Sequence, residues 1–317
     1  MMLLIRAFTE EDYEGITAVW NAAWPDFRKT AGEIRSSDKR RKPDHFWQRL
    51  VVETNGRLIG YGQIAEAYWT QLEDHFYTEF TTHPDFMGLG AASLFYEKML
   101  TTLQEEGGWR YLTAETREDY TEAVQFLTEQ GFKPVMRYPI SHLDVTGFDA
   151  TPYLARLNEV EAGGIDIIPL AELQARDNEW QAKTHRMIAD ALQDVPSPDA
   201  HTEFEFEEFE LAIQSPNFLP EGVFVAVDNG QLVAISELWR SQAEPDKLYT
   251  GLTGVVRSHR RRGLATAVKV HAIQFAQANG ITTLVTDNEE NNPMFQLNLR
   301  LGFQPQPAIV EFKKVLE

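Results

Sequence analysis

The chain has 317 residues, 43% of them hydrophobic, enough for two domains of ordinary size, each with its own core. A formal net charge of −19 repels phosphates, which excludes general nucleic-acid binding and suits a cationic partner. Cysteine is absent, so disulfides, thiolate zinc sites and an acyl-cysteine intermediate are excluded. No apolar run reaches the ~18 residues that cross a bilayer, and the stretch Met1 to Arg6 is too short for a signal peptide. No membrane partner and a cytoplasmic location are therefore expected.

Leu3 to Arg6 reads as a strand and Thr9-Glu10-Glu11-Asp12 as a capped helix start. Asn55-Gly56, between Val51-Val52 and Leu58-Ile59, is a hairpin signal because a type I′ turn needs two positive φ angles. A strand is expected around His75 to Thr82, then the turn Gly88-Leu89-Gly90-Ala91-Ala92 and a helix carrying Leu94, Met99 and Leu103. Gly131-Phe132 follows. The polar insert Asp194 to Phe209 predicts a loop and a helix, with a substrate lid as an alternative, and Phe204 to Phe209 reads as an amphipathic helix end.

Three of these signals recur in order. Asn55 is matched by Asn229, Gly90 by Gly263 and Gly131 by Gly302, at separations of 174, 173 and 171 residues. Near-constant offsets predict two copies of one mixed α/β fold, residues 1–147 and 160–317.

The segment Thr253 to Thr266 carries the richest chemistry. A strand enters a turn, and Leu264, Val268, Ala272, Phe275 and Ala276 then fall on one helical face, stopped by Asn279-Gly280. A helix starting at Gly263 aims unpaired N–H groups outward, and Gly263 and Ala265 let a phosphate approach. Arg257, Arg260, Arg261 and Arg262 form a cationic island in an acidic chain.

Arg260-x-x-Gly263-x-Ala265, with Asn298-Leu299-Arg300-Leu301-Gly302-Phe303 after it, resembles the GNAT superfamily of N-acetyltransferases. The Asn-rich stretch Thr286 to Met294 is similar to that of tandem, mycothiol-synthase-like members, where Pro293 suits a first helical position capped by Asn292. The resemblance implies two tandem acyl-CoA N-acyltransferase folds, each a mixed, mostly antiparallel sheet flanked by helices. It implies acetyl-CoA held by Val255, Val256, Arg260, Arg261, Arg262, Gly263, Leu264, Ala265, Thr266 and Asn291. It also implies direct acetyl transfer to a primary amine of a small molecule or peptide. Many members place a tyrosine acid four residues before the Gly of Gly-Phe, where this chain has Asn298 and, in the first copy, Leu127. Tyr249 is the candidate replacement acid, Glu237 and Asp287 the candidate bases, and solvent an alternative carrier of the protons. In the first copy Met87 replaces the motif arginine, so that cofactor site is expected to be degenerate. A non-catalytic acyl-CoA-binding or sensing protein is the alternative. The eight histidines lack ligand spacing, so no metal is expected. Trp47, Trp69, Trp109, Trp180 and Trp239 are expected in the core or in pockets, an aromatic wall for an organic cation being the alternative.

Overall fold

The computed structural model describes residues 2–316. The chain divides into two compact units, each built on one seven-stranded sheet. The first contains strands β1 (Leu3–Ala7), β2 (Trp47–Thr54), β3 (Arg57–Glu66), β4 (His75–Thr82), β5 (Tyr111–Arg117) and β6 (Lys133–Tyr138). The second contains β7 (Ile140–Asp144), β8 (Asp166–Pro169), β9 (Phe224–Asp228), β10 (Gln231–Arg240), β11 (Lys247–Val255), β12 (Thr283–Asp287) and β13 (Gln304–Pro305). The last strand, β14 (Ile309–Val315), returns to the first sheet.

In the first unit the strand order is β1-β2-β3-β4-β5-β14-β6. Alternation sends Val51 to one face and Leu50 to the other. Val51 joins Ile16 and Val19 of helix α1 (Tyr13–Ala23) and Ile34 of α2 (Ala31–Lys39). Leu50 joins Phe95, Met99 and Leu103 of α3 (Ala91–Glu105), with Phe126 of α4 (Thr121–Glu129) beside them. In the second unit the order is β13-β7-β12-β11-β10-β9-β8. One face buries Leu238, Leu248 and Leu284 with α5 (Leu154–Ala162) and α9 (Leu264–Ala278). The other buries Ile235 and Val225 with α6 (Leu170–Arg176), α7 (Trp180–Leu192) and α8 (Phe206–Ile213). Helix α10 (Pro293–Arg300) follows β12.

Both hairpin turns form as their sequence requires, with φ of 49° and 74° at Asn55-Gly56 and 48° and 78° at Asn229-Gly230. The strands divide differently from the sequence copies. β7 lies before residue 147 yet pairs with β12, Leu284 opposite Leu143, while β14 pairs with β5, Phe312 opposite Ala114. Strand pairing uses backbone groups common to every residue but proline, so a terminal strand can fill an equivalent slot in either sheet.

The polar insert is shared out rather than left as a flap. Residues 197–202 belong to the first unit, where Gln71 N–H donates to Ala200 O at 2.9 Å and Thr202 N–H to Trp69 O at 3.0 Å. The Phe204 to Phe209 run forms the N-terminal end of α8, where Glu208 reaches back to the Glu205 N–H as a capping partner. Phe209 is buried there against Trp180. No described helix is long and apolar enough to cross a membrane.

Gly254 on β11 admits α7 closely, since a Cβ there would stand 2.5 Å from Ala191 Cβ. Gly254→Val is therefore expected to lower stability by ~1–3 kcal/mol through overpacking, measured by the shift in the denaturant midpoint. A midpoint equal to wild type would show that α7 yields without cost.

Candidate functional site

The site begins where two strands part. β11 and β12 are parallel and paired only from Lys247–Thr283 to Tyr249–Val285, after which β12 leaves. β11 continues to Val255 with β10 still beside it. The register shifts between Ser236 and Leu238, and in that bulge the Leu252 N–H turns to Glu237 Oε2 at 2.9 Å. Val256 donates its N–H to Val233 O at 3.0 Å, so it is not available to a ligand as the sequence suggested. Antiparallel alternation then directs the Val255 and Thr253 N–H groups away from β10, toward the edge that β12 has left.

Beyond Val256, a single 3₁₀ turn (Arg257–His259) leads into a cradle with φ of 62° at Arg261 and 84° at Gly263. Successive N–H groups in such left-handed turns converge on an anion. Helix α9 starts at Leu264 with no side chain capping it, so its first N–H groups stay available. Leu264 itself is 1% exposed and can offer only backbone, whereas Ala265 and Thr266 are half-buried in the first turn. The first copy repeats this backbone with φ of 74° at Gly88 and 87° at Gly90 ahead of uncapped α3.

The cationic island is partly neutralised. Arg257 and Arg260 both pair with Asp194, Arg257 at 2.6 Å, and Arg260 Nε also donates to Val255 O at 3.1 Å. The two guanidinium groups hold the Asp194 carboxyl down at about 2. Arg262 lies 3.9 Å from Asp228, which also takes a 3.0 Å contact from His259 Nε2. A further arginine escaped the sequence reading: Arg156 of α5 lies against Gly263, where any Cβ would collide with its Cδ. Neither Arg156 nor Asp194 had a local signal, because folding alone brings them to the turn.

The three proton-transfer candidates share one face of the sheet. Tyr249 stands opposite Trp239 on β10 and Val285 on β12, and alternation places Glu237 and Asp287 on that same face. Glu237 accepts from Leu252 N–H and, at 3.4 Å, from Trp239 Nε1, yet burial dominates and pushes its carboxyl up. The atoms packed around Asp287 also raise its carboxyl, although part of the residue meets water. Asn291 is exposed with its side-chain amide on Glu289 at 2.7 Å, while Asn292 caps α10 by accepting from Met294 N–H at 2.9 Å, as expected. Asn298 is 1% exposed and donates to Asn288 Oδ1 at 2.6 Å. Among the described residues no cluster of His, Asp and Glu could hold a metal.

Lys269, unremarked in the sequence, is buried on the opposite face. Its Nζ lies 3.5 Å from Thr253 Oγ1 and 5.5 Å from the Phe303 ring centre. Burial lowers its pKa from the usual 10.5 to about 7. Below pH 7 the folded and unfolded chains both carry the charge, and burying it costs stability in full. Between pH 7 and 10.5 only the unfolded chain is protonated, so the cost fades as pH rises. Lys269→Met is expected to raise the unfolding temperature at pH 6 by an amount worth several kcal/mol, at ~1.4 kcal/mol per pKa unit. The gain should shrink toward pH 10, and a pH-independent gain would contradict the buried-charge account.

The sequence profile described as Acetyltransferase (GNAT) family matches residues 13–132 and 186–303, more than half of the chain. No curated protein matches the chain by sequence. Among solved structures, it is similar to a GCN5-related N-acetyltransferase from Sphaerobacter thermophilus, with 17% identity and TM-score 0.72 over 99% of this chain and 95% of that one. A tandem GNAT protein from the clavulanic acid biosynthesis pathway superposes with TM-score 0.73 at 16% identity, covering 99% and 98%. The glucosamine N-acetyltransferase region of a fungal multi-domain GH3 β-N-acetylglucosaminidase gives TM-score 0.71 at 13% identity, covering 99% of this chain and 38% of that one. Such identities speak for the fold alone. With both sequence copies matched and two sheets of one plan, the chain belongs to the acetyltransferase (GNAT) family and carries two copies of its fold in tandem.

Proposed function

We propose that the second copy binds acetyl-CoA and transfers its acetyl group directly to a primary amine of a small molecule or peptide. The observation that carries this reading is the Arg261/Gly263 cradle ahead of an uncapped 15-residue helix, set where β11 and β12 part. The donor set fits a pyrophosphate: N–H groups from Gly263 to Thr266, the guanidinium groups of Arg260, Arg261 and Arg262, and a glycine where a Cβ would meet Arg156. The outward Val255 N–H suits an amide or carbonyl of the pantetheine arm. When bound, the cofactor supplies a thioester carbonyl open to attack by an amine.

The chain's own part is to orient the amine and move its proton. Glu237 or Asp287, each raised by burial toward the operating pH, takes the ammonium proton, and Tyr249 returns one to the departing thiolate. The net charge of −19 supports a cationic acceptor, and speaks against nucleic acid. One observation favours the rival of a non-catalytic acyl-CoA-binding protein: the position of the familiar acid holds Asn298, whose amide does not ionise and donates instead to Asn288. Turnover of an amine panel with acetyl-CoA separates the two.

Calorimetric titration of acetyl-CoA is expected to give one micromolar site (~8 kcal/mol), weakened at least ~10-fold in Arg260→Ala/Arg262→Ala. No heat with wild type would sink the proposal. Once an acceptor is found, kcat/KM should rise with pH above the usual carboxylate range. Glu237→Gln should then cost ~10²–10⁴-fold and remove that rise. An unchanged profile would transfer the base role to Asp287 or solvent.

A further inference from the structure

The first unit has its own cleft, of about 780 Å³, opening where β4 and β5 part after Thr78–Ala114. Its chemistry is the reverse of the arginine turn. Among the described residues lining it there is no lysine, arginine or histidine, and Met87 stands where the second copy has Arg260. Glu79, Glu115, Asp119 and Glu122 lie on its walls instead. A second hollow of about 200 Å³ shares Trp24, Glu79 and Glu115 with it and adds Trp20, Tyr77 and Lys29.

The lining of these neighbouring hollows is rich in aromatic rings. Trp20 and Trp24 stack at 5.4 Å with their planes 18° apart, and Tyr120 packs on Trp24 at 5.4 Å. The chain has already placed an ammonium on these rings: Lys29 Nζ lies 3.8 Å from the Trp20 ring centre. Lys29 is itself exposed, so its ammonium can leave the ring for water and is a replaceable occupant.

We propose that the first unit's cleft is a binding site for an organic cation, an alkylated ammonium on an apolar body. Trp20 and Trp24 receive the charged head, and Glu79 and Glu115 supply the counter-charge. Ring faces attract an alkylated ammonium strongly once it is partly desolvated, and carboxylates around a concave wall deepen the potential. A polyphosphate finds glycine N–H groups at Gly88 and Gly90 but meets four carboxylates, of which Arg117 pairs with Asp119 alone, and no guanidinium among the lining residues. The site is independent of the proposed cofactor site, whose arginines belong to the other unit.

The test is calorimetric titration of the full chain with benzyltrimethylammonium, which has no N–H to acylate, and with benzyl alcohol as the uncharged control. We expect saturable binding of the cation alone, weakened at least ~10-fold by Trp20→Leu and by Glu79→Gln. Lys29→Met, which vacates the Trp20 face, should tighten it. Should Trp20→Leu fail to fold by circular dichroism, Glu79→Gln and Lys29→Met decide the matter. The proposal is overturned by any of three results: no binding to either wild type or Lys29→Met, equal affinity for benzyl alcohol, or affinity indifferent to Glu79→Gln and Lys29→Met. It is equally overturned if coenzyme A saturates a site in Arg260→Ala/Arg262→Ala and excludes the cation, because the cleft would then be a second cofactor site.

Discussion

A parallel strand pair that begins joined and then separates leaves backbone donors facing a gap, and much of the chemistry in both units is arranged around such a gap. In the second unit, pairing ends at Tyr249 and Val285, and the freed edge of β11 exposes the Val255 N–H. The same strand then turns through a left-handed cradle into α9, so strand edge and helix end border one opening. In the first unit, pairing ends at Thr78 and Ala114, and a roomy cleft opens there. Such a gap survives only when the sheet is held firmly elsewhere. The apolar faces packed on α9 and α7, and on α1 and α3, provide that hold.

The two openings share a backbone plan and differ in charge. The offset of 173 residues that relates Gly90 to Gly263 also relates Met87 to Arg260 and Tyr96 to Lys269. Left-handed backbone occurs at Gly88 and Gly90 in one copy and at Arg261 and Gly263 in the other. That Arg261 accepts this conformation at all marks how strongly the surrounding turn demands it, for a side chain there works against the backbone preference. Around the second cradle, Asp194 and Asp228 restrain arginines that would otherwise repel one another. Pinning these side chains in advance lowers the entropy lost when an anion binds, while the same carboxylates compete with it.

Each unit also sets an amine near the phenyl ring of its Gly-Phe pair, buried in the second unit and half-buried in the first. Lys269 of α9 lies over Phe303, whereas Lys314 of β14 lies 6.0 Å from the Phe132 ring centre and donates to Tyr96 OH at 2.8 Å. A ring face offers a cation some compensation for lost water, which makes this position tolerant of lysine from either direction.

The sequence by itself determined the repeated plan, the two Asn-Gly hairpins, the start of α9 near Gly263, its stop at Asn279-Gly280 and the Asn292 cap of α10. Each follows from residues adjacent in the chain acting through local backbone geometry. Gathering the basic turn, Arg257 to Arg262, was equally local. What only the tertiary structure decided is whatever depends on which segments meet: the exchange of β7 and β14, and the loss of the Val256 N–H to Val233. Tertiary contact likewise ties Arg257 and Arg260 to Asp194, lays Arg156 against Gly263 and buries Lys269. The placing of the Trp20–Trp24 stack beside strands β4 and β5 belongs with these. Pairing of backbone groups and the desolvation of a charge are set by neighbours in space, and no short stretch of residues encodes them.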